Sequence, residues 1–131
     1  MRVPIIRLGR ILLISIQTDL TDTDALCLQS DLIQKISDTE AQGVAIDITA
    51  LDVVDSYMAR IINDTVCMAQ LLGADVVISG VQPFVALSMV EMGSDLIRAE
   101  CVFNLEQAMK RLEIRMSTRG DVCLKRDDYD Q

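Results

Sequence analysis

The chain has 131 residues, half of them apolar, and a formal net charge of −8 from 20 acidic and 12 basic side chains. This length suits one domain with its own hydrophobic core. The acidic balance argues against a nucleic-acid partner, whose phosphates require clustered Lys and Arg. The sequence contains no His, which excludes Ser-His-Asp and Cys-His catalysis and every His-ligated metal site.

The amino-terminal residues predict neither secretion nor membrane insertion. They carry Arg2, Arg7 and Arg10 but no small-residue cleavage site, unlike a signal peptide. The longest apolar run, Ile11–Ile16, already contains Ser15 and is far shorter than a membrane span. The four Cys are widely spaced and form no CxxC pair, which favours reduced thiols. We therefore expect a cytoplasmic protein with no membrane partner.

The first half of the chain predicts two strands, a helix and a third strand. Pro4 favours an edge position for a strand over residues 4–8, and the nearly continuous apolar run 11–16 is typical of a strand covered on both faces. A helix over residues 23–41 is indicated by apolar residues at helical spacing, which are Ala25, Leu28, Leu32 and Ile36. A second buried-type strand follows over residues 44–48.

The second half of the chain continues the alternation of helices and strands. A helix from Ser56 to residue 72 precedes a strand over residues 76–79, and Pro83 then opens a further helix. A short strand over residues 101–103 comes before a last helix that Asn104 caps. Helices that alternate with buried strands are typical of an α/β fold with a mainly parallel sheet.

The predicted architecture is thus a mixed, mostly parallel sheet of four to five strands with about four helices. We expect one domain over residues 1–113. Residues 114–131 show no clear hydrophobic period, and we expect a flexible carboxyl-terminal tail there.

The segment from Asp47 to Ser56 is the most informative for function. A buried strand ends, a short turn follows, and a hydroxyl falls where a helix starts, at the edge of a parallel sheet where ligands and modifications collect. A phosphate on Ser56 would add nearly two negative charges close to Asp52 and Asp55, and would repel a partner that accepts the neutral hydroxyl. The alternative is that Ser56 simply caps the helix, which is the commoner role of such a serine and the stronger interpretation on local physics alone.

Four segments carry a resemblance to a known family: Leu13–Gln17, Gly43–Thr49, Asp55–Ala59 and Ser79–Pro83. In this order and at these separations they resemble the STAS domain, the fold of sulfate transporters and anti-sigma-factor antagonists. The resemblance covers about residues 3–113 and is strongest to the small antagonists of the bacterial stressosome (RsbS type).

The resemblance implies that Ser56 is phosphorylated by a partner serine-protein kinase of the GHKL class. In that family the unphosphorylated antagonist holds the kinase in a large assembly with sensor proteins that carry a similar STAS domain at their carboxyl terminus. Phosphorylation releases the kinase, and a phosphatase resets the system. We expect the partner-binding residues to be Asp52, Asp55, Ser56, Tyr57 and Arg60.

Ser79 is a second candidate phosphorylation site, because sensor relatives carry a phosphorylated threonine at this place. A hydroxyl satisfied by the backbone of a turn is the preferred interpretation. Asp47, Asp52 and Asp55 form an acidic cluster that a Mg²⁺ ion could use, although solvated loop carboxylates explain it better. We predict no catalytic residue, no metal and no cofactor.

Two other functions stay open. The protein could be an anti-sigma-factor antagonist that acts in a small soluble complex, or an enzyme or small-molecule carrier of unknown chemistry. The enzyme is the weakest of these, because the sequence has no His and no nucleotide-binding glycine motif.

Overall fold

The computed structural model describes residues 3–17, 20–92 and 99–118. Within these ranges an opening hairpin is followed by helices and strands in alternation, as predicted. The elements are β1 (Ile5–Leu8), β2 (Ile11–Ser15), α1 (Asp22–Thr39), β3 (Gly43–Asp47), α2 (Ser56–Leu71), β4 (Asp75–Ser79), α3 (Pro83–Met92), β5 (Glu100–Val102) and α4 (Leu105–Met116).

The strands form one sheet in the order β1-β2-β3-β4-β5. Strand β1 pairs antiparallel with β2, and the other pairs are parallel. The predicted mixed, mostly parallel sheet is therefore confirmed, and the strand after Pro4 does lie at the edge. In the shared register Ile14, Ile46 and Ile78 align across the three central strands.

The two faces of the sheet are covered by different helices. Because successive strand residues point to opposite sides, Val44, Ile46 and Ile78 join the main core, which also contains the buried faces of α1 and α2 and Val85 of α3. Ala45 and Val77 face the other side, where they pack against Ala108 and Leu112 of α4. The first three helices thus lie on one face of the sheet and α4 on the other.

The last helix extends past the domain end expected at residue 113. Helix α4 continues to Met116, whose side chain packs against the cluster between α4 and the sheet. The remainder of the predicted tail, residues 119–131, lies outside the described residues. No helix in the described ranges is long and apolar enough to cross a membrane.

Candidate functional site

The loop that joins β3 to α2, residues 48–55, is held from inside by three apolar side chains. Ile48, Leu51 and Val54 are buried in the main core. The Ile48 N–H donates to the carbonyl of Ser79 at 2.9 Å, and the Leu51 N–H donates to that of Ile48, also at 2.9 Å. The loop is therefore fixed on the sheet and presents the start of α2 in a defined orientation.

Asp55, and not Ser56, caps helix α2. Asp55 has extended backbone dihedral angles, and its Oδ1 accepts the N–H of Met58 at 2.7 Å. Its carbonyl accepts the N–H of Ala59 at 2.9 Å. The interpretation of Ser56 as the helix cap is therefore wrong by one residue. The residue before it, Asp55, is the cap and accepts the third amide N–H of the helix.

Ser56 is the first residue of α2 and its side chain is exposed. Among the residues that the structure describes, its hydroxyl has no hydrogen-bond partner. The first turn contains no acidic residue, and the amides of Ser56 and Tyr57 have no acceptor within the helix. A phosphate on this hydroxyl would lie at the positive end of the helix dipole, close to free N–H donors.

The other predicted partner-binding residues lie close to Ser56 in the chain. Asp52, Asp55, Tyr57 and Arg60 are all exposed, and Arg60 lies one turn along α2 from Ser56, on the same side of the helix. The five predicted residues are thus all exposed in the loop before α2 and in the first turns of that helix.

Sequence reasoning missed Val53, whose side chain is 67% exposed between two acidic residues of this loop. Its neighbour Val54 is buried. Two adjacent valines give no sequence signal for which of them faces the solvent, because only the path of the loop decides it. Val53 therefore adds an exposed apolar side chain next to Asp52.

Ser79 lies at the same edge of the sheet but is fully buried. Its hydroxyl donates to Oδ1 of Asp47 at 3.1 Å, and the hydroxyl of Thr49 donates to the same oxygen at 2.6 Å. The partner is a carboxylate on the neighbouring strand, in place of the turn backbone that we expected. In this conformation the Ser79 hydroxyl is inaccessible to a kinase.

The turn after β4 fits tightly against Thr49. Gly80 has a φ of +77°, and a Cβ atom added there would lie 1.9 Å from the Thr49 hydroxyl oxygen. The side-chain amide of Gln82 donates to the Thr49 carbonyl. Glycine is thus required at this position, and the Gln82 bond joins the two loops at this edge.

The three carboxylates of the predicted acidic cluster, Asp47, Asp52 and Asp55, do not form a common ligand site. Asp47 accepts the two hydroxyls at the end of β3, while Asp52 and Asp55 are exposed in the loop. Within the described part of the chain, no three acidic or cysteine side chains are arranged to hold a metal ion.

Comparison with known proteins agrees with this architecture. A family model described as the STAS domain matches residues 2–112. A solved serine-to-glutamate variant of RsbS from Moorella thermoacetica is 31% identical and superposes with a TM-score of 0.78, covering 87% of this chain and 97% of its own.

A chain from a structure of the molecular architecture of the stressosome, described as a signal integration and transduction hub, is also 31% identical, with a TM-score of 0.76 and coverage of 86% and 98%. In Bacillus subtilis the uncharacterized protein YezB is 28% identical over 73 residues, which span 56% of this chain and 74% of YezB. The chain belongs to the STAS domain family.

Proposed function

We propose that this protein is a stressosome antagonist that sequesters a serine-protein kinase of the GHKL class and releases it when Ser56 is phosphorylated. The observation that carries the proposal is the exposed Ser56 hydroxyl, which Asp55 leaves free by taking the capping role. The likeness to RsbS and to a stressosome chain, each at 31% identity over most of the sequence, supports the assembly.

The switch acts through charge. Unphosphorylated Ser56 presents a neutral hydroxyl at the start of α2, where Val53 and Tyr57 are also exposed and can be covered by a partner. A phosphate adds nearly two negative charges. The free amides of the first turn hold it, so α2 keeps its structure, while Asp52 and Asp55 add to the local negative charge. A partner that buries this surface would then have to desolvate a phosphate next to two carboxylates, and it dissociates.

The protein works as a binding partner and not as an enzyme in this scheme. The assembly contains further copies of the chain and sensor relatives with a carboxyl-terminal STAS domain, and it operates in the cytoplasm. The released kinase acts on the next protein of a stress-signalling pathway that controls a sigma factor or a second messenger. A phosphatase removes the phosphate from Ser56 and restores binding.

Phosphate transfer tests the role of Ser56. The full chain is incubated with ATP and the serine kinase purified with it from the native host, and the product is analysed by intact mass. We expect one phosphate on the wild type and on the control Ser30→Ala, which removes an exposed serine of α1, and none on Ser56→Ala. Full labelling of Ser56→Ala would exclude this site.

Particle size tests the assembly. With the sensor relative present, we expect the protein to sediment as a particle many times larger than the isolated 14.5 kDa chain. A kinase complex that stays small under the same conditions would instead favour the alternative, an anti-sigma-factor antagonist that acts in a small soluble complex.

A further inference from the structure

The stretch from the end of β3 to the end of α2 carries one cation. Residues 48–71 contain no Lys and a single Arg, which is Arg60, together with three aspartates: Asp52, Asp55 and Asp64. The Arg60 side chain is exposed on α2. Any positive side-chain charge that this stretch presents near Ser56 therefore comes from one guanidinium group.

This guanidinium group is free in the unphosphorylated protein. Within the residues that the structure describes, it makes no hydrogen bond and no ion pair. Arg111 and Arg115 of α4 differ from it, because both pair with Glu100 of β5. Arginine stays protonated at every physiological pH. Arg60 is thus a permanent cation that can pair with an anion introduced within its reach.

Asp64 is the one acidic residue of α2, and it does not engage Arg60. It lies four residues after Arg60, so the two side chains are neighbours on the helix surface. Ion pairs at this spacing are favoured when the acid precedes the base, and here the base comes first. The lack of a bond between these two described side chains agrees with that preference.

Ser56 stands in the favoured order. It lies four residues before Arg60, and both side chains are exposed. A phosphate on Ser56 would place the anion one turn before the cation, with Cβ atoms about 6 Å apart. A guanidinium group can donate two parallel hydrogen bonds to phosphate oxygens. The adjacent Asp55 is turned to the helix backbone, where its Oδ1 accepts the Met58 N–H.

We propose that Arg60 is the internal counter-ion of phosphorylated Ser56, paired with the phosphate across the first turns of α2. Phosphorylation then changes the surface twice. It adds the phosphate, and it engages the one cation that the unphosphorylated surface presents to a partner. The inference rests on the proposed function, because Arg60 has this role only when Ser56 carries a phosphate.

Phosphoserine encoded genetically at position 56 tests the pair without any kinase. The second pKa of the phosphate, ordinarily about 6, is measured in the full chain by a pH titration followed with phosphorus NMR. The second ionisation adds one negative charge close to the guanidinium group, so we expect Arg60→Gln to raise this pKa by about 0.5. Arg60→Lys keeps the charge and should raise it less. The difference should shrink in about 1 M salt, where the screening length is about 3 Å.

The matched control is Lys110→Gln. It removes an exposed cation of α4, on the opposite face of the sheet, and changes the net charge by the same amount. The pKa of the phosphate should not change in this variant, and circular dichroism verifies that all variants are folded. Equal pKa values in the parent chain and in Arg60→Gln would overturn the proposal.

A rise of the same size in Lys110→Gln would also overturn it, since net charge alone would then set the pKa of the phosphate. Failure of the kinase to modify Ser56 is a different result. It would contradict the proposed function, while the titration of the encoded phosphoserine would still decide whether Arg60 pairs with the phosphate. The two failures can therefore be told apart.

Discussion

Ser56 and Ser79 are two hydroxyls at the same edge of one sheet, yet their surroundings are opposite. Ser79 ends β4, is fully buried, and donates to Asp47. Ser56 begins α2, is exposed, and has its capping role taken by Asp55. One hydroxyl is part of the packing between two strands and the other is available to a partner. Residue type and sheet edge do not distinguish them, whereas the hydrogen bonds do.

The largest expected difference comes from placing a carboxylate at each position. In Ser79→Asp a second carboxylate would be buried beside Asp47, and we expect a loss of about 4 kcal/mol in the free energy of unfolding. Ser56→Asp adds an exposed charge at a helix start, and the change should stay within about 0.5 kcal/mol. Urea unfolding followed by circular dichroism measures both.

Equal losses of unfolding free energy in Ser79→Asp and Ser56→Asp would contradict the difference between a buried and an exposed hydroxyl. They would mean either that Ser56 is buried in solution or that the strand end around Ser79 opens freely. Ser79→Ala serves as the control for the loss of the hydroxyl alone, for which we expect about 1–2 kcal/mol.

The next effect concerns the glycine that follows Ser79. Gly80→Ala should cost about 3 kcal/mol, because the residue has a positive φ and its new Cβ would overlap the Thr49 hydroxyl. The matched control is Gly9→Ala in the β1–β2 turn, where φ is +64° but no atom lies within 4 Å of the added Cβ. That variant should lose only about 1 kcal/mol. Urea unfolding of both variants measures their free energies of unfolding. Similar losses of stability in Gly80→Ala and Gly9→Ala would show that the Gly80 turn is not closely packed on Thr49.

Much of this fold could be predicted from the sequence, because its strands are short apolar runs and its helices repeat at a clear period. The residues Ala25, Leu28, Leu32 and Ile36, chosen for their spacing, are the buried residues of α1. The end of the last helix was harder to predict, since Ile114 and Met116 fall among polar residues. The structure extends the helix to Met116, which packs on the α4 side of the sheet, while Ile114 stays exposed.

The details of the site needed the structure. Asp55 and Ser56 are both good capping residues, so the sequence alone does not tell which of them lies at the cap. The bond between Ser79 and Asp47 joins residues 32 positions apart in the chain. It depends on the register of β3 with β4, which pairs these two positions directly, and short-range patterns carry no information about it.

The smallest expected effect tests which residue caps α2. The availability of the Ser56 hydroxyl depends on the answer. Asp55→Ala removes the acceptor of the Met58 N–H and should cost about 1 kcal/mol, or about 4 °C in the midpoint of thermal unfolding. Asp55→Asn keeps a capping oxygen and should lose only about 0.3 kcal/mol, while Ser56→Ala should be nearly neutral. If Ser56→Ala costs as much as we expect of Asp55→Ala, and Asp55→Ala costs little, then the serine is the cap in solution. Its hydroxyl would then be bound to the helix backbone, and a kinase would have to break that bond before transferring a phosphate.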